Sequence, residues 1–214
     1  SERNHSIIQQ TGIKACLYSQ KIPDKALDPA IEIKKIDSKK DMDHHGEIIR
    51  ESVDDEHDMY VLFTSGSTGE PKGVPISRIN LNSFIEAYIT YPSYHFTPED
   101  RFLQMYDISF DASIPCYVVP LCVGACVYTV PQHEIKYLYA YRLMKEKKLT
   151  FLKMAPSTLN FLRPYFKSIK LDHTRYCILG GEAVSSMLVE AWSSCVPNAL
   201  IQNIYGPTET TVNC

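Results

Sequence analysis

The sequence predicts an α/β fold, a mostly parallel β-sheet with helices on both faces. Strand-like and helix-like segments alternate along its length, the βαβα order of a parallel sheet covered on both sides. A chain of 214 residues that is 44% hydrophobic can bury a sizeable core as one globular α/β unit. The apolar run at 59–63 (MYVLF) passes directly into glycines, serines and threonines. In such a sheet, that strand-to-turn transition marks the carboxyl edge where ligands bind.

Residues 12–19 and 30–36 read as short strands around a loop containing Pro and Asp. Residues 37–58 are polar and charge-rich and read as a surface loop. His44, His45 and His57 with Asp54, Asp55 and Glu56 lack a fixed spacing on a regular element, so a solvated loop is preferred to a metal site. Leu81, Phe84, Ile85, Tyr88 and Ile89 follow helical spacing and predict an amphipathic helix over 79–91. Residues 115–121 are apolar enough for a buried helix, and 125–130 form a strand. Tyr137, Leu138, Tyr141, Leu143 and Met144 mark a helix whose end carries Lys145, Lys147 and Lys148, which suit its negative terminus. A strand at 150–154 is followed by Ser157 as N-cap of a helix over 158–166. A strand at 175–179, a helix at 185–194 and a strand at 199–205 complete the alternation.

Composition excludes several classes. Twenty-two basic against 25 acidic residues give a net charge of −3, which provides no electrostatic case for nucleic acid. The seven cysteines show no C-x-x-C pair and lie mostly in apolar runs, as expected of reduced, buried thiols in the cytoplasm. Cys122 and Cys126 lack further ligands nearby and read as core residues. The apolar run 116–130 is broken by Pro120 and Gly124 and is too short to span a membrane, and no signal peptide is visible.

The segment 60–77, YVLFTSGSTGEPKGVPIS, combines the parts a phosphate-binding loop needs. Gly66, Gly69 and Gly73 permit close backbone approach. Thr64, Ser65, Ser67 and Thr68 supply hydroxyl donors, and Lys72 supplies a mobile positive charge. It is not the G-x-x-x-x-G-K-[ST] loop of kinases: Pro71 stands at the second glycine position, and Gly73 follows Lys72. A flexible Gly/Ser linker suits the composition but leaves the preceding strand unexplained.

TSGSTGEPKG resembles the phosphate loop of the adenylate-forming enzymes, which include acyl-CoA synthetases, luciferases and the adenylation domains of nonribosomal peptide synthetases. Two more of that family's motifs follow in order. FDASI at 110–114 resembles the segment that opens the amino-acid pocket, and NIYGPTETTV at 203–212 resembles the adenine- and magnesium-binding segment. Between them Gly180-Gly181-Glu182-Ala183 resembles the turn that lies along the nucleotide. FDxS combined with YGPTETT resembles the amino-acid-activating branch rather than the fatty-acyl or luciferase branch.

The resemblance implies ATP-dependent formation of an aminoacyl-adenylate and transfer of the acyl group to the phosphopantetheine thiol of a carrier protein. It implies ATP contacts from Thr64, Ser65, Gly66, Ser67, Thr68, Gly69, Gly180, Gly181, Glu182, Asn203, Tyr205 and Gly206. Lys72, Thr208 and Glu209 would act on the phosphates, with Glu209 holding Mg2+. The amino-acid pocket would be lined by Asp111, Ala112, Pro115, Lys153, Ile178, Gly180, Ile204, Val212 and Asn213, with Asp111 binding the α-ammonium. The hydroxyl-rich bend and the turn at Glu209 should then meet on one triphosphate.

Structural alternatives stand beside these roles. Asp111, together with Ser113, and Thr208 could cap helices, Lys72 could be a surface charge, and Lys153 could lie on the core while its ammonium reaches water. An inward Lys153 would favour an acidic or amide side chain. The resemblance also implies a partial large N-terminal subdomain over 1–214, without the C-terminal small domain that carries a catalytic lysine. The alternative functions are a D-alanyl carrier protein ligase and a non-catalytic nucleotide-binding fragment.

Overall fold

A computed structural model describes residues 2–18, 31–36, 52–66 and 69–213. They form two compact units, Ser1–Pro75 and Ile76–Cys214.

The first unit opens with α1 (Glu2–Thr11), a helix not foreseen from the sequence. It ends at Gly12, whose φ of +57° suits glycine and whose N–H donates to the Ile8 carbonyl at 3.1 Å. Strand β1 (Ala15–Tyr18) pairs in parallel with β2 (Glu32–Lys35), in register from Ala15↔Glu32 to Tyr18↔Lys35. A second two-stranded sheet joins β3 (Asp58–Ser65) to β4 (Pro71–Ser77). Of the loop expected at 37–58, residues 37–51 lie outside the described residues, and Asp58 already belongs to β3.

The second unit starts with α2 (Arg78–Thr90), whose N-cap Ser77 accepts a hydrogen bond from the Asn80 N–H at 3.4 Å. There follow β5 (Arg101–Gln104), a 3-10 turn (Asp111–Ser113), α3 (Ile114–Cys122), β6 (Cys126–Thr129) and α4 (Lys136–Glu146). Next come β7 (Phe151–Met154), α5 (Pro156–Leu162), a 3-10 stretch (Arg163–Ser168) and β8 (Tyr176–Gly180). The unit closes with α6 (Ser186–Ser193), β9 (Leu200–Ile204) and a 3-10 turn (Thr208–Thr210). The five strands β5–β9 make one parallel sheet in the order β6-β5-β7-β8-β9.

Alternate residues of each central strand serve opposite cores, as the two-residue strand period requires. Leu103, Leu152, Met154, Cys177 and Leu179 pack with Leu143 and Met144 of α4, Leu159 of α5 and Trp192 of α6. Phe102, Phe151, Tyr176 and Ile178 pack on the other face with Tyr88 of α2 and Val119 of α3. Helices therefore cover both faces, and the predicted fold class holds. Among the described residues, no helix is long and apolar enough to cross a membrane.

Two local expectations need correction. Ser157 is not the N-cap of α5, because the helix begins at Pro156, whose fixed φ suits the first turn, with Ala155 at the cap. The helix expected through 166 stops at Leu162, since Pro164 lacks the N–H of a continuing α-helix and the chain continues as 3-10 turns.

The amino ends of three strands are tied by one carboxylate. Asp100, 2% exposed, accepts from Arg175 Nη1 at 2.9 Å on both oxygens, from Thr150 Oγ1 at 2.6 Å and from the Thr97 N–H at 2.8 Å. Arg175 Nη2 also donates to the His95 carbonyl at 2.7 Å. At the end of α4, Lys148 holds a left-handed φ of 50°, strained for a residue with a Cβ. Lys148→Gly is expected to raise stability by about 0.5–1 kcal/mol in urea denaturation, since glycine suits that position.

Candidate active site

The carboxyl ends of β5, β7, β8 and β9 carry most of the residues singled out by motif. After β5 the chain reverses through Asp107 and Phe110. The Ser109 N–H donates to Asp107 Oδ1 at 3.0 Å, and hydrogen bonds from Ser109 hold the Asp107 carboxyl below its ordinary range. The Ser113 N–H and Oγ both donate to the Phe110 carbonyl, at 3.0 and 2.7 Å, closing the turn that carries Asp111. Asp111 caps nothing, and among the described residues its buried Oδ2 has no hydrogen-bond partner. A buried carboxylate oxygen with no partner is costly unless a ligand supplies one.

Asp111 and Ala112 line a cavity of about 340 Å3 with Gly180, Gly181, Glu182 and Tyr106. The Tyr106 hydroxyl is likewise buried and unpartnered, and burial, with smaller contributions from Cys116 and Glu182, pushes its pKa far above the usual phenol range. Tyr106 was not anticipated. Its one available signal was its position just past a strand end.

Lys153 lies in β7, on the same face as Phe151 and opposite Ile178 of β8. It is 2% exposed, so its ammonium does not reach water along the core. Burial draws its pKa below the ordinary lysine value, opposed by Cys116 and Asp111. Among the described residues it makes no ion pair within 4 Å. The buried Cys116 thiol is in turn pushed up to about 12 by desolvation, against the pull of Lys153. Pro115 and Ile178 are buried as well.

The turn after β8 is held on two sides. A Cβ on Gly180 would lie 2.8 Å from Ile204 Cγ1 and 3.0 Å from the Ile204 carbonyl, so only glycine permits the β8–β9 approach there. Glu182 accepts from the Ser157 N–H at 2.9 Å and from Ser157 Oγ at 3.0 Å.

Beyond β9, Tyr205 is 75% exposed, Thr208 is half-buried and caps no helix, and Glu209 is exposed. Gly206 packs against the Asn213 backbone, where a Cβ would sit 2.7 Å from the Val212 carbonyl. Thr211 and Val212 take positive φ of 62° and 74°. A separate cavity of about 520 Å3 lies between α2 and β9, lined by Tyr88, Tyr91, Asn203, Ile204 and Asn213. Asn213 Oδ1 is buried without a partner.

The predicted phosphate loop belongs to the first unit. Thr64 and Ser65 end β3 rather than starting a loop, and Lys72 is exposed within β4. The reversal is closed by the Gly66 N–H donating to the Glu70 carbonyl at 3.1 Å and by Gly69 at φ +87°. Ser67 and Thr68 lie outside the described residues.

The profile of the AMP-binding enzyme family matches residues 1–214. The chain belongs to that family. This AMP-binding chain is 36% identical over 158 residues to the nonribosomal peptide synthetase atnA of Emericella nidulans, covering 73% of the chain and 2% of the synthetase. It is 31% identical over 167 residues to the D-alanine–D-alanyl carrier protein ligase of Streptococcus pneumoniae, covering 77% of the chain and 32% of the ligase. The AMPPNP-bound form of the nonribosomal peptide synthetase FmoA3 shares the fold, with a TM-score of 0.84 and 22% identity over 100% of this chain and 23% of that one. The AMP-binding chain thus spans about a third or less of the length of these relatives.

Proposed function

We propose that this chain is part of the large N-terminal subdomain of an enzyme that activates an amino acid with ATP. A carboxylate oxygen of the substrate would attack the α-phosphorus, the bond to the bridging β-oxygen would break, and pyrophosphate would leave with its electron pair. The sulfur of a carrier-protein phosphopantetheine thiol would next bond to the acyl carbon and give up its proton, as the acyl–phosphate bond breaks and AMP leaves. Because charge gathers on phosphate oxygens, the protein contributes positioning and electrostatic stabilisation. Thr64, Ser65, Gly66, Ser67, Thr68, Gly69 and Lys72 would face the β- and γ-phosphates, and Asn203, Tyr205 and Gly206 the adenine.

Among the described residues, no group of three or more His, Cys, Asp or Glu could hold a metal. An exposed Glu209 fits Mg2+, which takes one or two carboxylates and fills its remaining positions from phosphate and water. Cys116, Cys177 and Cys195 are free and buried, whereas Cys122 and Cys126 are free but exposed and so are not the core residues expected from their apolar run; the free thiols suit a reducing cytoplasm.

The observation that carries the reading is the buried, unpartnered Asp111 Oδ2 beside a cavity, with a buried Lys153 in its field. An α-ammonium would satisfy Asp111, and an acidic or amide side chain would satisfy Lys153. A D-alanine methyl group would leave Lys153 uncompensated. The test is an ATP–pyrophosphate exchange screen of the full-length enzyme against all amino acids, D forms included. Exchange strongest with aspartate or asparagine supports the reading, and exchange confined to D-alanine would replace it.

Lys153→Met is expected to lower discrimination in favour of acidic side chains about 100-fold. Without ligand, it should stabilise the fold by about 1–3 kcal/mol, because it removes a buried unpaired charge. The folded pKa of Lys153 lies below its unfolded value, so the unfolded chain binds more protons between the two. Wild-type stability should therefore rise with pH from the depressed value up to about 10.4, where an unperturbed lysine titrates. That rise should be missing in Lys153→Met when both are unfolded in urea across this window.

A further inference from the structure

Glu182, expected on the nucleotide, has both carboxylate oxygens engaged by Ser157. Oε2 accepts the Ser157 N–H at 2.9 Å and Oε1 accepts Ser157 Oγ at 3.0 Å, across 25 residues of sequence. Ser157 is the second residue of α5, and the cap position before that helix is Ala155, which has no side-chain acceptor. The first N–H groups of a helix need acceptors from outside it, and a carboxylate there also complements the helix dipole. Glu182 fills that place from the next strand's exit. Gly180 meets Ile204 too closely for any Cβ, and Gly181 has a φ of +84°. The turn 180–182 is thereby joined to the exit of β9 on one side and to the exit of β7 on the other. Glu182 lines the same cavity as Asp111, so a shift of this turn would alter that cavity's wall.

We infer that Glu182 is a positioning residue, which fixes the 180–182 turn by capping α5 from a neighbouring strand, and is not a ligand of the nucleotide. The inference rests on the proposed ATP-dependent activity only for its kinetic consequence.

The test uses the full-length enzyme with Glu182→Ala, Ser157→Ala, the double variant and Glu182→Gln. ATP–pyrophosphate exchange and melting temperature are read for each. Glu182→Ala should raise the KM for ATP about tenfold while kcat stays within about twofold, because a displaced wall weakens binding more than chemistry. Ser157→Ala should give a smaller rise in KM of about threefold, since the N–H bond survives. The double variant should be no worse than Glu182→Ala alone, as expected when two side chains act through one shared contact. Glu182→Gln should recover most of the loss, because its amide oxygen accepts from Ser157 N–H and its NH2 donates to Ser157 Oγ. A wild-type KM in Ser157→Ala, or a double variant whose KM rise is the product of two measurable single rises, would overturn the inference and place Glu182 on the ligand. If the wild-type enzyme exchanges with no amino acid, the proposed activity fails, and the melting temperatures still decide the cap. Non-additive shifts sustain it, and additive ones sink it.

Discussion

Asp111→Ala in the full-length enzyme is expected to lower kcat/KM for amino-acid-dependent exchange by about 1000-fold, roughly 4 kcal/mol of transition-state stabilisation. The reason is the burial of Asp111 Oδ2 without a donor among the described residues. An ammonium bound there would lose its charged partner in a site screened from water, where removing one member of such a pair costs most. The same substitution should leave the unliganded fold as stable as before or more so, because it deletes a poorly compensated carboxylate. Opposite signs in activity and stability separate a ligand-binding role from a structural one. A variant that kept its exchange rate, or that lost activity only by unfolding, would remove Asp111 from the pocket.

The second large effect lies at the other end of the same strands. Asp100→Ala is expected to destabilise the second unit by about 3–5 kcal/mol, read from urea denaturation. Asp100 is 2% exposed and takes four hydrogen bonds, two of them from Arg175. Its loss leaves the Thr150 hydroxyl, the Thr97 N–H and the guanidinium without their acceptor, at the starts of β5, β7 and β8. Arg175→Ala should cost less than the full amount, because the Arg175 side chain is 38% exposed and the two other donors still satisfy Asp100. A loss below about 1 kcal/mol for Asp100→Ala would mean that water replaces the anchor.

Both aspartates show what local pattern reveals and what it hides. Asp111 was legible because it stands in a recognisable motif, FDASI, after a strand. Asp100 sits in the unremarkable run TPEDR, and its partners at 150 and 175 are distant in sequence. Likewise, α1 was missed because its residues ERNHSIIQQT give only a weakly apolar stripe. Strand β4 was missed because its Pro71, Gly73 and Pro75 read as loop, although the Gly66–Glu70 hydrogen bond turns the chain directly back into a strand.

The one-dimensional pattern determined the alternation of β5–β9 with their helices, since apolar runs and helical spacing reflect burial that each segment needs on its own account. It also marked the motif positions, because turn glycines, hydroxyls and carboxylates follow local backbone chemistry. Only the tertiary structure decided that Lys153 is sealed rather than reaching water, that Ser157 answers Glu182, and that Asp111 Oδ2 is left without a partner. Those are properties of contacts between segments 25 or more residues apart. No local window holds the partner, the desolvation or the field that sets them.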